Sequence, residues 1–228
     1  MKPQTSMIAD LIKRYPSLKP LRASLEAGFH LLREGFQQSG KWLIAGNGGS
    51  ASDADHIAGE WLKAFMIKQP PADVPEELAC HLQHALPALP LANFIGLHTA
   101  FGNDCDPKWA FAQLTYALGK QGDGLLAIST SGNSENILNA VRVARAKRMK
   151  VLGLTGRSGG ALKALCDVCV CTPEDETYKI QELHLPIYHC WCRMIEQHFF
   201  GSDEHPTRKQ KKEEPSLRLA VRPKKRTR

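Results

Sequence analysis

Three times along this chain a short apolar run leads through a glycine- and hydroxyl-rich loop into a stretch with helical spacing. That repetition limits the fold more than any other feature. Lys41–Ala45 (KWLIA) leads through GNGGS (46–50) into Ala51–Met66, and GLLAIS (124–129) leads through TSGNS (130–134) into Glu135–Lys147. Lys150–Leu154 leads through TGRSGG (155–160) into a short helix. Unbroken apolar runs suit strands buried on both faces, and the helices between them are the crossovers that parallel strands require. The expectation is an α/β fold: a three-layer sandwich, doubly wound, with a mostly parallel central sheet flanked by helices. Asp167–Cys171 (DVCVC) reads as a further strand, and Phe94–Leu97 as another ahead of a helix near Pro107–Leu118. Residues 7–14 and 20–38 carry apolar residues at helical spacing. A last helix, roughly Tyr178–Phe200, contains Pro186, which should kink it or mark its start.

One domain over residues 1–200 accommodates all of this and is long enough to bury a sizeable core. Within it, residues 67–90 read as a surface insertion, with five prolines (70, 71, 75, 87, 90) around a possible helix at Glu76–Ala85. The net charge of +7 is local, because residues 201–228 hold ten Lys/Arg against four Asp/Glu while the rest balances 20 basic against 19 acidic residues. That basic tail reads as disordered, with weak attraction to nucleic acid or an acidic partner as the functional alternative. No apolar run approaches the ~18 residues of a membrane span. No secretory leader is visible at the N-terminus, so the chain is expected in the cytoplasm with its seven cysteines reduced.

Five sites stand out by chemistry. Asn47, Gly48, Gly49 and Ser50 lie between a strand and a helix, where glycines let backbone approach an anion and the helix start favours negative charge. Gly46, Gly48 and Ala51 also fit the dinucleotide fingerprint, yet the acidic residue it requires ~20 positions on is missing, which argues against nicotinamide binding. Ser129, Thr130, Ser131 and Ser134 give four hydroxyls at a second such junction. That exceeds the need of one N-cap and, with no Gly-Lys-Ser/Thr, suits a monophosphate ester better than a nucleoside triphosphate. His56 and Glu60 share one helix face at i, i+4, and Gln181 and His189 lie roughly on one side of the last helix. Those four side chains are N and O donors of the kind zinc accepts. Cys166, Cys169 and Cys171 resemble half a zinc site but read as small core residues of a strand, and Cys190 and Cys192 as structural. His81, His84, His98, His184 and His198 show no partner pattern.

Taken in order, GNGGSASDADHIAGE (46–60), FGND (101–104), GDGLLAISTSGNSENIL (122–138), KVLGLTGRSGG (150–160) and KIQELHLPIYH (179–189) resemble the sugar isomerase (SIS) family, and within it the phosphoheptose isomerases. The resemblance runs from about residue 20 to 200. It implies substrate contacts from Asn47, Gly48, Gly49, Ser50, Asn103, Asp104 and Gln181, and a phosphate held by Ser129, Thr130, Ser131 and Ser134. It also implies one zinc per subunit on His56, Glu60, Gln181 and His189, with Glu60 and His189 transferring protons. The partners implied are a sugar phosphate and further copies of the chain in a homotetramer with sites between subunits. The reaction implied is ketose–aldose isomerisation of sedoheptulose 7-phosphate in heptose biosynthesis, through an enediol that a metal would stabilise. A zinc-bound carboxylate is a poor base, so either Glu60 leaves the metal or substrate displaces it. The long insertion, Lys179 in place of a usual Arg, and the basic tail depart from the family pattern. The competing reading is a non-catalytic SIS sugar-phosphate-binding or scaffold protein of the replication-initiator-associating type.

Overall fold

A computed structural model describes residues 4–201. Helices α1 (Gln4–Arg14) and α2 (Arg22–Gln37) flank a 3₁₀ turn at Pro16–Leu21. Strand β1 (Trp42–Ala45) leads to α3 (Gly49–Leu62), followed by a single turn, α4 (Glu76–Ala79). Then come β2 (Ala88–Pro90), α5 (Ile95–Asp104) and α6 (Ala110–Leu118). β3 (Gly124–Ser129), α7 (Glu135–Ala146), β4 (Lys150–Thr155), β5 (Val168–Cys171) and α8 (Thr177–Phe200) complete the order.

All five strands form one parallel sheet in the order β2-β1-β3-β4-β5. Period-two alternation divides its side chains between two cores. Trp42, Ile44, Leu126, Ile128, Leu152 and Leu154 face the layer that holds α1, α2, α3 and α8. Leu43, Ala45, Leu125, Ala127 and Val151 face the layer built on α6 and α7. The chain leaves β1 toward β2 on one side and later returns to β3 on the other, so the β1/β3 boundary is the topological switch point. Ligands bind outside the carboxyl ends of strands at such a boundary. GNGGS ends β1 there and TSGNS ends β3, which places both candidate loops on one crevice.

Several expectations need correction. Phe94–Leu97 is not a strand: the pairing strand is β2, and Ile95 opens α5 with 72% of its surface exposed. A four-residue apolar run carries no period, and the flanking prolines that obscured β2 are tolerated because it is an edge strand. The helix expected over Ala51–Met66 ends at Leu62, where Lys63 turns extended (φ −145°, ψ 169°). The helix expected over Glu76–Ala85 is one turn only, and the one after TGRSGG is a 3₁₀ turn at Lys163–Leu165. Pro186 lies inside α8 rather than at its start. Cys190 and Cys192 are buried core residues, and all seven cysteines are free. No helix among the described residues is long and apolar enough to cross a membrane. The expectations for the basic tail beyond Gly201 lie outside the described residues.

Candidate active site at the sheet switch point

The first loop owes its shape to Gly48, whose φ of +53° is a conformation that side chains disfavour. From there α3 starts at Gly49. A Cβ on Gly49 would lie 2.6 Å from Gln181 Nε2, so the Gln181 amide occupies the space a side chain would take. Ser50 is buried, whereas Asn47 is exposed. Asn47 and Asn136 exchange reciprocal amide hydrogen bonds of 3.0 and 2.8 Å, tying the first loop to α7 across the switch point.

The second loop is held from below and open above. Ser129 donates to Ser134 Oγ at 3.1 Å, and Ser131 Oγ accepts from the Asn133 N–H at 3.1 Å. Asn133 Oδ1 accepts from Ala161 N–H at 2.9 Å, and Leu162 N–H donates to the Gly132 carbonyl at 2.9 Å. These bonds pack the loop against the one after β4. Gly132 (φ +64°) permits that packing, since a Cβ there would fall 2.1 Å from the Gly159 carbonyl oxygen. Ser134 occupies the N-cap position of α7 but makes no side-chain cap. The helix start and the exposed Ser131 hydroxyl therefore remain available to an anion.

Behind the loops, α3 and α8 bring three of the four expected donors together. His56 Nε2 stands 3.3 Å from His189 Nε2 and 3.4 Å from Glu60 Oε1. Tyr188 Oη donates to Asp53 Oδ1 at 3.2 Å, which leaves its lone pair to accept from His56 Nδ1–H at 3.0 Å. This assignment gives His56 a bare Nε2 aimed at the other two donors. Burial raises the Asp53 carboxyl above its usual range, against the Tyr188 hydrogen bond and the His56 charge, which lower it. Burial, more than the neighbouring Asp53, likewise raises the Tyr188 phenol. His189 titrates below the usual imidazole range, chiefly through burial and then through His56. Phe65 stacks on the His189 ring with centroids 5.7 Å apart and planes 26° apart. An open cavity of about 200 Å³ adjoins His189, with Arg14, Tyr15, Phe65 and Arg193 in its wall.

This cluster is rich in acceptors and poor in protons. Glu60 is largely buried, and its Oε2 has no hydrogen-bond partner; only the Lys63 ammonium stands 3.6 Å away. A bare imidazole nitrogen facing a carboxylate oxygen is repulsive unless a proton or a cation lies between them. Zinc–ligand bonds of about 2.0–2.1 Å give a tetrahedral edge of roughly 3.3–3.4 Å, the separation of both measured pairs. The second shell also fits, because Tyr188 fixes the tautomer that a ligating His56 needs. The fit is incomplete. Among the described residues, no group of three or more His, Cys, Asp and Glu side chains stands as one that could hold a metal ion. Gln181 lies two turns from His189, about 12 Å along the helix, and its amide faces Gly49 instead. Asn103 and Asp104 are exposed at the end of α5, where Asn103 Nδ2 donates to Asp104 Oδ1 at 2.8 Å. Among the described residues, neither is hydrogen-bonded to the loops of this crevice.

Sequence reading missed Asp53, Tyr188, Asn136 and Phe65. Asp53 carries a signal, three residues before His56 on the same helix face. Asn136 and Phe65 carry none, because both reach the site only through tertiary packing.

The chain is similar to known proteins over most of its length. The SIS domain model matches residues 8–156. Phosphoheptose isomerase of Thiobacillus denitrificans is 42% identical over 187 residues, covering 81% of this chain and 88% of that protein. The enzyme of Helicobacter pylori is 40% identical over 183 residues, covering 80% and 88%. Among solved structures, the phosphoheptose isomerase of Francisella tularensis superposes with a TM-score of 0.71 at 34% identity, covering 84% of this chain and 95% of that one. GmhA from Neisseria gonorrhoeae gives 0.69 at 33%, covering 84% and 96%. A chain that shares the SIS domain, this level of identity and a crevice so built at its switch point belongs to the phosphoheptose isomerase family of SIS proteins.

Proposed function

We propose that the protein isomerises sedoheptulose 7-phosphate to D-glycero-D-manno-heptose 7-phosphate, as a cytoplasmic homotetramer carrying one zinc per subunit. The observation that carries this reading is the convergence of His56, Glu60 and His189 in a chain about 40% identical to phosphoheptose isomerases.

In this reading the phosphate sits on Ser129, Thr130, Ser131 and Ser134 at the start of α7, while Asn47, Gly48, Gly49 and Ser50 run along the sugar. Glu60 removes the proton from C1, and the electron pair moves through the enediol to be reprotonated at C2. His189, whose imidazole burial moves below its usual range, exchanges protons with O1 and O2. Asp53 and Tyr188 keep His56 in one tautomer. Bound zinc would supply Lewis-acid polarisation of the carbonyl, with His56, Glu60 and His189 as its holders. Gln181 could join them only by leaving Gly49.

The tetramer reading has a physical basis in α5. None of its residues is buried, and Ile95 stands on it with Trp109 and Tyr116 exposed close by in sequence. A second chain covering that surface is also what would bring Asn103 and Asp104 to a site. The scaffold reading has no such support, since the donor set it would lack is present.

The test is turnover of sedoheptulose 7-phosphate by purified protein, before and after chelation and zinc restoration, beside metal analysis. Isomerisation that is lost on chelation and regained with zinc is expected. Full turnover by metal-free protein would remove zinc from the account, and no turnover of this or any ketose phosphate would remove the function.

A further inference from the structure

Beyond the switch-point crevice, α8 carries a second buried acid. Glu196 is 6% exposed, lies two turns beyond His189 on the same helix, and shares the wall of a small cavity with Glu60. Its carboxylate accepts three consecutive backbone N–H groups: Phe65 at 2.6 Å, Met66 at 2.9 Å and Ile67 at 3.1 Å. These are the amides of the segment that follows α3, where the helix has ended and no strand begins. His84 closes the arrangement from the insertion: its Nε2 donates to the Ile67 carbonyl at 2.6 Å and stands 3.5 Å from Glu196 Oε1. The His84 ring lies flat on Phe200, with centroids 3.7 Å apart. A buried carboxylate is costly unless several donors meet it, and here the donors come from a single short stretch of chain.

That stretch contains Phe65, the ring stacked on His189. We propose that Glu196 is a positioning residue: by gripping the 65–67 amides it presses Phe65 onto His189 and fixes the direction of that imidazole for proton exchange. The chain of contact is continuous, from the Glu196 carboxylate through the Phe65 N–H and ring to the His189 ring. Its role in turnover rests on the isomerase reading, whereas the coupling of Glu196 to the His189 ring does not. The device also uses the proline-rich segment 67–90, to which His84 belongs. Misplacing a proton-transfer group by a fraction of an ångström to 1 Å lowers turnover without changing how the phosphate is held.

Three variants of the full-length protein test it: Glu196→Gln, Phe65→Leu and Phe65→Tyr. The first readout is the His189 ring-proton resonance, assigned by its loss in His189→Ala, because a stacked Phe ring shifts it upfield. Glu196→Gln and Phe65→Leu should both move it downfield, and Phe65→Tyr should keep it. The second readout is kinetic. Glu196→Gln and Phe65→Leu should lose roughly 10- to 100-fold in kcat with KM nearly unchanged, and Phe65→Tyr should retain kcat. A resonance in Phe65→Leu identical to the starting protein would overturn the proposal. So would kcat and KM falling together in a folded variant, or failure of Phe65→Tyr to rescue. If Glu196→Gln does not fold, Glu196→Asp, whose carboxylate is drawn back by one methylene, takes its place, and a His189 resonance left unmoved in the folded Glu196 variant overturns the proposal. Absence of turnover in the unaltered protein would count against the isomerase reading, while the resonance still decides whether Glu196 governs the His189 ring.

Discussion

Glu60 sends its two oxygens into different surroundings, one toward His56 and one to a buried position with no hydrogen-bond donor. With Glu60 as the proposed base and His189 as the proposed proton-exchanging group, Glu60→Gln should lower turnover by ~10²-fold or more while leaving the fold intact, as should His189→Ala. Steady-state kinetics beside a thermal melt check both. At the phosphate loop, Ser131→Ala should raise KM by roughly 10- to 100-fold with a smaller change in kcat, because a hydrogen bond to an anion forms in ground and transition states alike. Competition by a non-reactive phosphosugar measures this. His184 makes a prediction of another kind. It is fully buried against the Thr155 carbonyl at 3.4 Å, and burial lowers its pKa to about 4. The unfolded chain binds that proton from about pH 6.5 downward and the folded chain does not. Its contribution is therefore complete above pH 6.5 and is lost as pH falls from there toward 4, at about 1.4 kcal/mol per pH unit. Denaturant melts at pH 7 and 5 should show that loss, and His184→Gln should flatten it. At this scale the sequence was informative where chemistry is local: His56 and Glu60 at i, i+4 and the serine run could be read directly. His184 could not, because nothing in its neighbours says that it faces the sheet.

Among the elements, the two loops at the ends of β1 and β3 act as one unit because Asn47 and Asn136 bond each other in both directions. Cutting that tie with Asn136→Ala should cost about 1 kcal/mol of stability and raise KM for the phosphosugar. A change in kcat with KM unchanged would show that the tie holds something other than substrate. The alternation of apolar strands with helices was legible, since a parallel sheet buried on both faces leaves unbroken apolar runs. The edge was not. β2 is three residues long between prolines, and an edge strand needs little of the composition that marks a central one. The end of α3 also escaped sequence reading, because Leu62, Ala64 and Phe65 continue a helical apolar pattern past the point where Glu196 draws the chain away. Gln181 shows the limit of spacing arguments: its position on the correct side of α8 did not fix where its amide points.

At the scale of the whole molecule, α5 has no buried residue and touches the second core through the partly buried Leu97, and in the proposed tetramer another copy of the chain covers it. Sedimentation at micromolar protein should give a tetramer, and Ile95→Asp should lower its assembly more than the stability of the subunit. All named site residues, Arg193 and Glu196 included, precede residue 202, so a chain ending at Ser202 should keep its turnover. The central claim is that Glu60, poised beside the two imidazoles, moves the proton of a phosphorylated ketose held at the switch point. Its most direct test is the rate at which sedoheptulose 7-phosphate becomes aldose on the zinc-loaded protein and on Glu60→Gln, with phosphosugar binding measured on both. The account predicts conversion by the first, a drop of ~10²-fold or more in the second, and binding retained in each. Equal rates in the two proteins, or no conversion by either, would contradict it.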